Sequence, residues 1–96
     1  MRAVRQHELG GPEVLAIEEV TRPEPGPTEV LVRVAAAGVN PVDWKTRAGS
    51  GFLRRPPFTL GWDLAGEVEE VGLGVTWFSP GDRVFGMPLF PREAGC

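Results

Sequence analysis

The chain has 96 residues, enough for one hydrophobic core and too few for two. Its 42% hydrophobic and 24% charged residues are ordinary for a globular domain. A net charge of −3 and a sequence pI of about 5.1 give no basis for electrostatic capture of nucleic acid or of an anionic membrane.

No apolar run approaches the ~20 residues of a membrane span. The opening Met1-Arg2-Ala3-Val4-Arg5 lacks the apolar stretch of a secretory signal, so a cytoplasmic setting is the expectation. Cys96 is the only cysteine, which excludes an internal disulfide and a Cys-rich zinc site within the chain. The 13 glycines and 10 prolines have no period and fall between apolar runs, as turns between short strands do.

Met1 to Glu8 alternates loosely and reads as a first strand. Gly10-Gly11-Pro12 is a turn, and Val14 to Val20 is a returning strand. Thr21 to Thr28 holds Pro23, Pro25, Gly26 and Pro27, too dense in proline for a helix or a central strand, and is expected to be an exposed extended loop. Glu29 to Ala37 is the clearest strand. Val30, Val32 and Val34 share one face, expected to be well covered; Leu31, Arg33 and Ala35 share the other, expected to be partly covered.

Gly38 ends that strand, and a short helix is expected next. Asn40 suits the N-cap, Pro41 the first helical position and Asp43 the positive helix end; Gly49 stops the helix after about Ala48. Ser50 to Pro57, with the basic pair Arg54-Arg55, is a loop, and Gly61 to Val71 is a loop entering a strand. Gly72-Leu73-Gly74 turns the chain. Pro80-Gly81 has the residue order of a type II turn and leads into Arg83-Val84-Phe85. The sum is a mainly β domain, a small barrel or open sheet with one short helix. Gly72-Leu73-Gly74 opens like a dinucleotide fingerprint, yet Trp77 stands at the third glycine position and no helix follows, so no Rossmann unit is expected.

Three segments place polar residues where strands end and loops begin, where chemistry on a β scaffold is usually sited. They are Ala37-Gly38-Val39-Asn40-Pro41-Val42-Asp43-Trp44-Lys45, Gly61-Trp62-Asp63-Leu64-Ala65-Gly66-Glu67-Val68 and Pro80-Gly81-Asp82-Arg83-Val84-Phe85-Gly86. Taken together, in this order and spacing, they resemble the medium-chain dehydrogenase/reductase superfamily. The branch they resemble is that of the zinc-free, NADPH-dependent quinone oxidoreductases. The resemblance covers essentially the whole chain and implies the N-terminal GroES-like domain, a partly open β-barrel, over residues 1–96. Members of that family are far longer, so a truncated domain is expected, without the nucleotide-binding half.

The resemblance also carries a chemical expectation. In the zinc branch a cysteine occupies the position of Asn40 and a His-Glu pair that of Trp62-Asp63. Trp62 has no lone pair for a metal and Asn40 is a poor zinc ligand, so no metal site is expected. What remains is hydride transfer from NADPH to a small-molecule quinone or an α,β-unsaturated carbonyl. Hydride arriving at the β-carbon of an enone puts negative charge on the carbonyl oxygen, which without a Lewis acid calls for a hydrogen-bond donor. The resemblance implies that Asn40, Asp43 and Lys45 line the nicotinamide side of the cleft. Lys45 would face the developing enolate, Asn40 would orient cofactor or substrate, and Trp62 and Asp63 would belong to the substrate pocket. The isolated chain is expected neither to bind NADPH tightly nor to turn over.

Each of these residues also has a structural role open to it. Asn40 and Asp43 have capping-box spacing, and Asp43 precedes Arg47 in the favourable order for a helix ion pair. Lys45 suits a solvated surface. Asp63 suits a turn and Trp62 a core aromatic. Trp44, Trp77 and Phe78 are assigned to packing, His7 to the surface, Asp82 to a turn, and Cys96 to an exposed terminal thiol. Two other function classes stay open: a stand-alone GroES-like binding module, and a co-chaperonin. The co-chaperonin ranks last, because the Thr21 to Thr28 loop lacks an apolar anchor. Oligomerisation is left open.

Overall fold

A computed structural model describes residues 1–51, 53 and 55–88. The expectations for Arg54 and Cys96 lie outside the described residues. Among the described residues six strands and one α-helix run in the order β1 (Arg2–Gln6), β2 (Ala16–Glu19), β3 (Val30–Gly38), α1 (Pro41–Ala48), β4 (Phe58–Thr59), β5 (Asp63–Val71) and β6 (Arg83–Gly86). A single 3-10 turn, Pro12–Val14, precedes β2. No helix among the described residues is long and apolar enough to cross a membrane.

Among the described residues the strands form two three-stranded sheets, β2-β1-β4 and β3-β5-β6, that share no strand and do not close into a barrel. Every pairing is antiparallel, between consecutive strands for β1–β2 and β5–β6 and across longer connections for β1–β4 and β3–β5. β3 and β5 pair along most of their length with two register shifts, which pass over Glu69 on β5 and Ala35 on β3. Such irregularities bend and twist a ribbon. Gly66 faces the second one: a Cβ there would meet the Arg33 carbonyl oxygen at 2.1 Å.

Helix α1 begins and ends as expected. Gly49 adopts φ +108°, and the Gly49 N–H donates to Thr46 O at 3.1 Å while the Ser50 N–H donates to Lys45 O at 2.8 Å. This is the Schellman pattern, and it satisfies the last helical carbonyls. The C-terminal end of α1 is seated on the first sheet. The Gly10 N–H and Gln6 Nε2 both donate to Arg47 O, and Arg47 Nε returns a bond to Gly10 O at 3.1 Å. The expected Asp43–Arg47 ion pair therefore does not form. Arg47 is drawn to the β1 turn, and Asp43 is turned to the helix start.

The turn at Pro80-Gly81 is type II as expected, with Gly81 at φ +97° and the Asp82 N–H bonded to Ser79 O at 3.1 Å. Asp82 holds this turn by accepting the Ser79 N–H at 2.9 Å. His7 is exposed and contacts Glu18.

Phe58, Trp62 and Val68 are the buried hydrophobic residues among those described, each 2% exposed. No residue of β3 is buried, so the expected well-covered valine face is corrected. Between the sheets lies an open cleft of about 1310 Å3, walled by Val4 and Ile17 from one sheet and Val32, Leu64 and Phe85 from the other. The packing assigned to Trp44, Trp77 and Phe78 is corrected too. They are 51%, 90% and 45% exposed, because among the described residues no third layer covers the turns and the outer helix face that carry them.

Candidate functional site

The candidate site is built where β3, α1 and β5 meet. Asn40 has extended backbone, φ −130° and ψ 165°, and hands the chain from β3 into α1. The Asp43 carboxylate accepts the Asn40 backbone N–H at 2.7 Å. The Asp43 N–H donates to the Asn40 carbonyl oxygen at 2.9 Å. With Pro41 at the first helical position, the capping-box arrangement fixes the first turn.

Across the sheet, Gly38 of β3 stands opposite Asp63 of β5. From there the Asp63 carboxylate reaches the cap, and Asn40 Nδ2 donates to Asp63 Oδ2. A Cβ on Gly38 would lie 3.0 Å from both Asp63 Cβ and Asp63 Oδ2. The missing side chain is therefore what leaves room for the carboxylate. Trp62, next in the chain, is buried and supports this strand start from the core.

The structure brings together Asn40, Asp43 and Asp63, residues spread over more than twenty positions. Lys45 is not drawn into this network. It is exposed on α1, its ammonium 5.6 Å from the centroid of the Trp44 ring. Trp44 stands at the helix position where a hydrophobic staple would meet Val39, yet Val39 is 87% exposed and the staple stays open. None of Asn40, Asp43, Lys45, Trp62 or Asp63 lines the cleft between the sheets.

Two fully buried polar residues went unread in the sequence. Gln6 and Thr46 are fully buried beside the seat of α1. Their side-chain oxygens, together with Asp43 Oδ1, have no hydrogen-bond partner. Thr46 lies one turn after Asp43 on the same helix face, and that spacing was the signal available. No local pattern marks Gln6.

The Asn40 amide is bonded to Asp63, and among the described residues no group of three or more His, Cys, Asp or Glu stands together.

Comparison with known proteins agrees with this architecture. The family model "Alcohol dehydrogenase GroES-like domain" matches residues 26–96. A quinone oxidoreductase of Rattus norvegicus is 50% identical over 88 residues, covering 88% of this chain and 26% of the relative. The structure of a quinone oxidoreductase from Coxiella burnetii superposes with a TM-score of 0.94 at 39% identity, over 100% of this chain and 32% of that one. The Escherichia coli quinone oxidoreductase complexed with NADPH gives a TM-score of 0.84 at 38% identity, over 88% of this chain and 26% of that one. The chain thus spans about a quarter of the length of the curated relatives it matches. It belongs to the alcohol dehydrogenase GroES-like domain family, and within that family it is quinone oxidoreductase-like.

Proposed function

We propose that this chain is the β-domain half of a zinc-independent, NADPH-dependent reductase that passes hydride to a quinone or an α,β-unsaturated carbonyl. The observation that carries the reading is the cap of α1. Where a metal-holding member would need a thiolate, a carboxamide is hydrogen-bonded to a carboxylate. The NADPH complex of the Escherichia coli relative supports the choice of cofactor.

The cofactor, held mainly by a domain other than this one, supplies the hydride when bound. The residues of this chain bind, orient and stabilise charge. Asn40 sits at the positive end of α1 and holds a polar group of cofactor or substrate. Asp43 keeps the cap rigid from beneath and belongs to the same nicotinamide-side wall. Asp63 and Trp62 form the strand-end side of the substrate pocket, Trp62 as its buried backing. The exposed stem of Lys45 lets its ammonium leave the Trp44 face and donate to a carbonyl oxygen on which negative charge develops. The proposed setting is cytoplasmic, with a small-molecule acceptor.

The test is Lys45→Ala in a polypeptide that carries this domain together with its nicotinamide-binding domain. Loss of a donor to the developing oxyanion lowers kcat/KM for an enone by about a hundredfold; an unchanged kcat/KM would sink the assignment. Titration of the 96-residue chain alone with NADPH, followed by nucleotide fluorescence, gives no micromolar binding if the cofactor is held mainly elsewhere.

A further inference from the structure

We infer that Asp63 is a positioning residue, kept within reach by the absent side chain of Gly38, which fixes the Asn40 carboxamide so that one amide N–H is offered to a ligand oxygen. The inference deepens the proposed function and rests on it for the nature of the ligand. The orientation itself rests on the geometry.

A primary carboxamide has one acceptor end and one donor end, and the two can exchange places by a flip. In Asn40 the ends are told apart. A carboxylate accepts, so the Nδ2 end must face Asp63, to which it donates. The capping-box arrangement turns the Asn40 oxygen toward the Asp43 backbone N–H. The Asn40 backbone is held separately by the Asp43 carboxylate, at 2.7 Å. With one Nδ2 hydrogen bonded to Asp63 and the oxygen turned to the helix start, the second Nδ2 hydrogen is the donor left for a ligand. The site thereby offers an N–H to an oxygen acceptor, such as the carbonyl of a quinone, an enone or a carboxamide.

Gly38 gives the second line of support. The opposed register sets Asp63 beside the end of β3, and a methyl at Gly38 would press on Asp63 Cβ and Oδ2 at 3.0 Å. A methyl there presses the carboxylate away from its place, so Gly38→Ala should weaken the Asn40–Asp63 bond.

The test reads the Asn40 side-chain amide by nitrogen–proton NMR in the 96-residue chain, with the backbone amide spectrum as the check on folding. In the unaltered chain one Nδ2 proton exchanges with solvent about tenfold more slowly than the other. Asp63→Ala, which removes the acceptor, abolishes that difference and Gly38→Ala reduces it, while the backbone spectrum stays dispersed. Equal exchange of the two protons in the unaltered chain, or a difference that survives Asp63→Ala, overturns the proposal.

In the longer polypeptide Asp63→Ala raises KM about tenfold and changes kcat less than threefold. The exchanged pair Asn40→Asp with Asp63→Asn restores folding stability, since donor and acceptor are merely reversed, yet leaves KM raised because the ligand now meets a carboxylate. A lost exchange difference with KM unchanged in both Asp63→Ala and Asn40→Ala would uphold the positioning and overturn the functional reading.

Discussion

Asp43 and Thr46 are both buried on one face of α1, and their substitution should have opposite consequences. The Asp43 carboxylate accepts the Asn40 N–H and lies near the positive end of the helix. Asp43→Ala therefore removes a cap worth about 1 kcal/mol. Thr46 is fully buried and its hydroxyl has no partner. Thr46→Val keeps the branched shape and removes an unsatisfied oxygen, so it is neutral or stabilises by about 1 kcal/mol. Chemical denaturation of the two variants checks both signs. At this scale the sequence was informative wherever the physics is local. Asn40, Pro41 and Asp43 announced the helix start because caps are made by neighbours in the chain. The Asn40–Asp63 bond was illegible because its partners are brought together only by the β3–β5 register.

Among the elements, α1 and the long β3–β5 ribbon were legible and β4 was not. Phe58–Thr59 is a strand only through its pairing with Arg5 and Gln6 of β1, and nothing within two residues can signal that. The turns separate two kinds of glycine. Gly81 has φ +97° with open space around its Cα, so Gly81→Ala meets backbone strain alone, about 1 kcal/mol. Gly72 is packed against the proline-rich loop, and a Cβ there would stand 1.8 Å from Gly26 O. Gly72→Ala must therefore push backbone apart and is expected to cost several-fold more than Gly81→Ala. Melting temperatures of the pair decide the order; equal shifts would contradict the close approach.

For the molecule as a whole, the apolar surface outweighs the core. Three hydrophobic residues are buried among those described, while Ile17, Phe85 and Met87 are 69%, 89% and 64% exposed along the cleft between the sheets. A contiguous apolar surface of this kind is a binding or association site by default. The 96-residue chain is therefore expected to bind a fluorescent apolar dye in its native state, and Ile17→Lys with Phe85→Lys should abolish that binding. Dye binding untouched by the double variant would place the exposed surface elsewhere. The exposure of Trp44, Trp77 and Phe78 belongs to the same scale. Hydrophobicity predicts a wish for cover, and whether cover exists depends on layers that composition does not encode.

Helix α1 is tied at its C-terminal end to β1, through Arg47, Gly10 and Gln6, and at its N-terminal end to β5, through Asn40 and Asp63. It works as a strap between two sheets that share no strand. A molecule that binds the cap more tightly when the sheets are apposed stabilises that apposition by the same free energy with which the apposition favours the molecule, since thermodynamic linkage is reciprocal. For such a molecule, loosening the Arg47 seat, remote from the cap, would weaken affinity with every contact to it left in place.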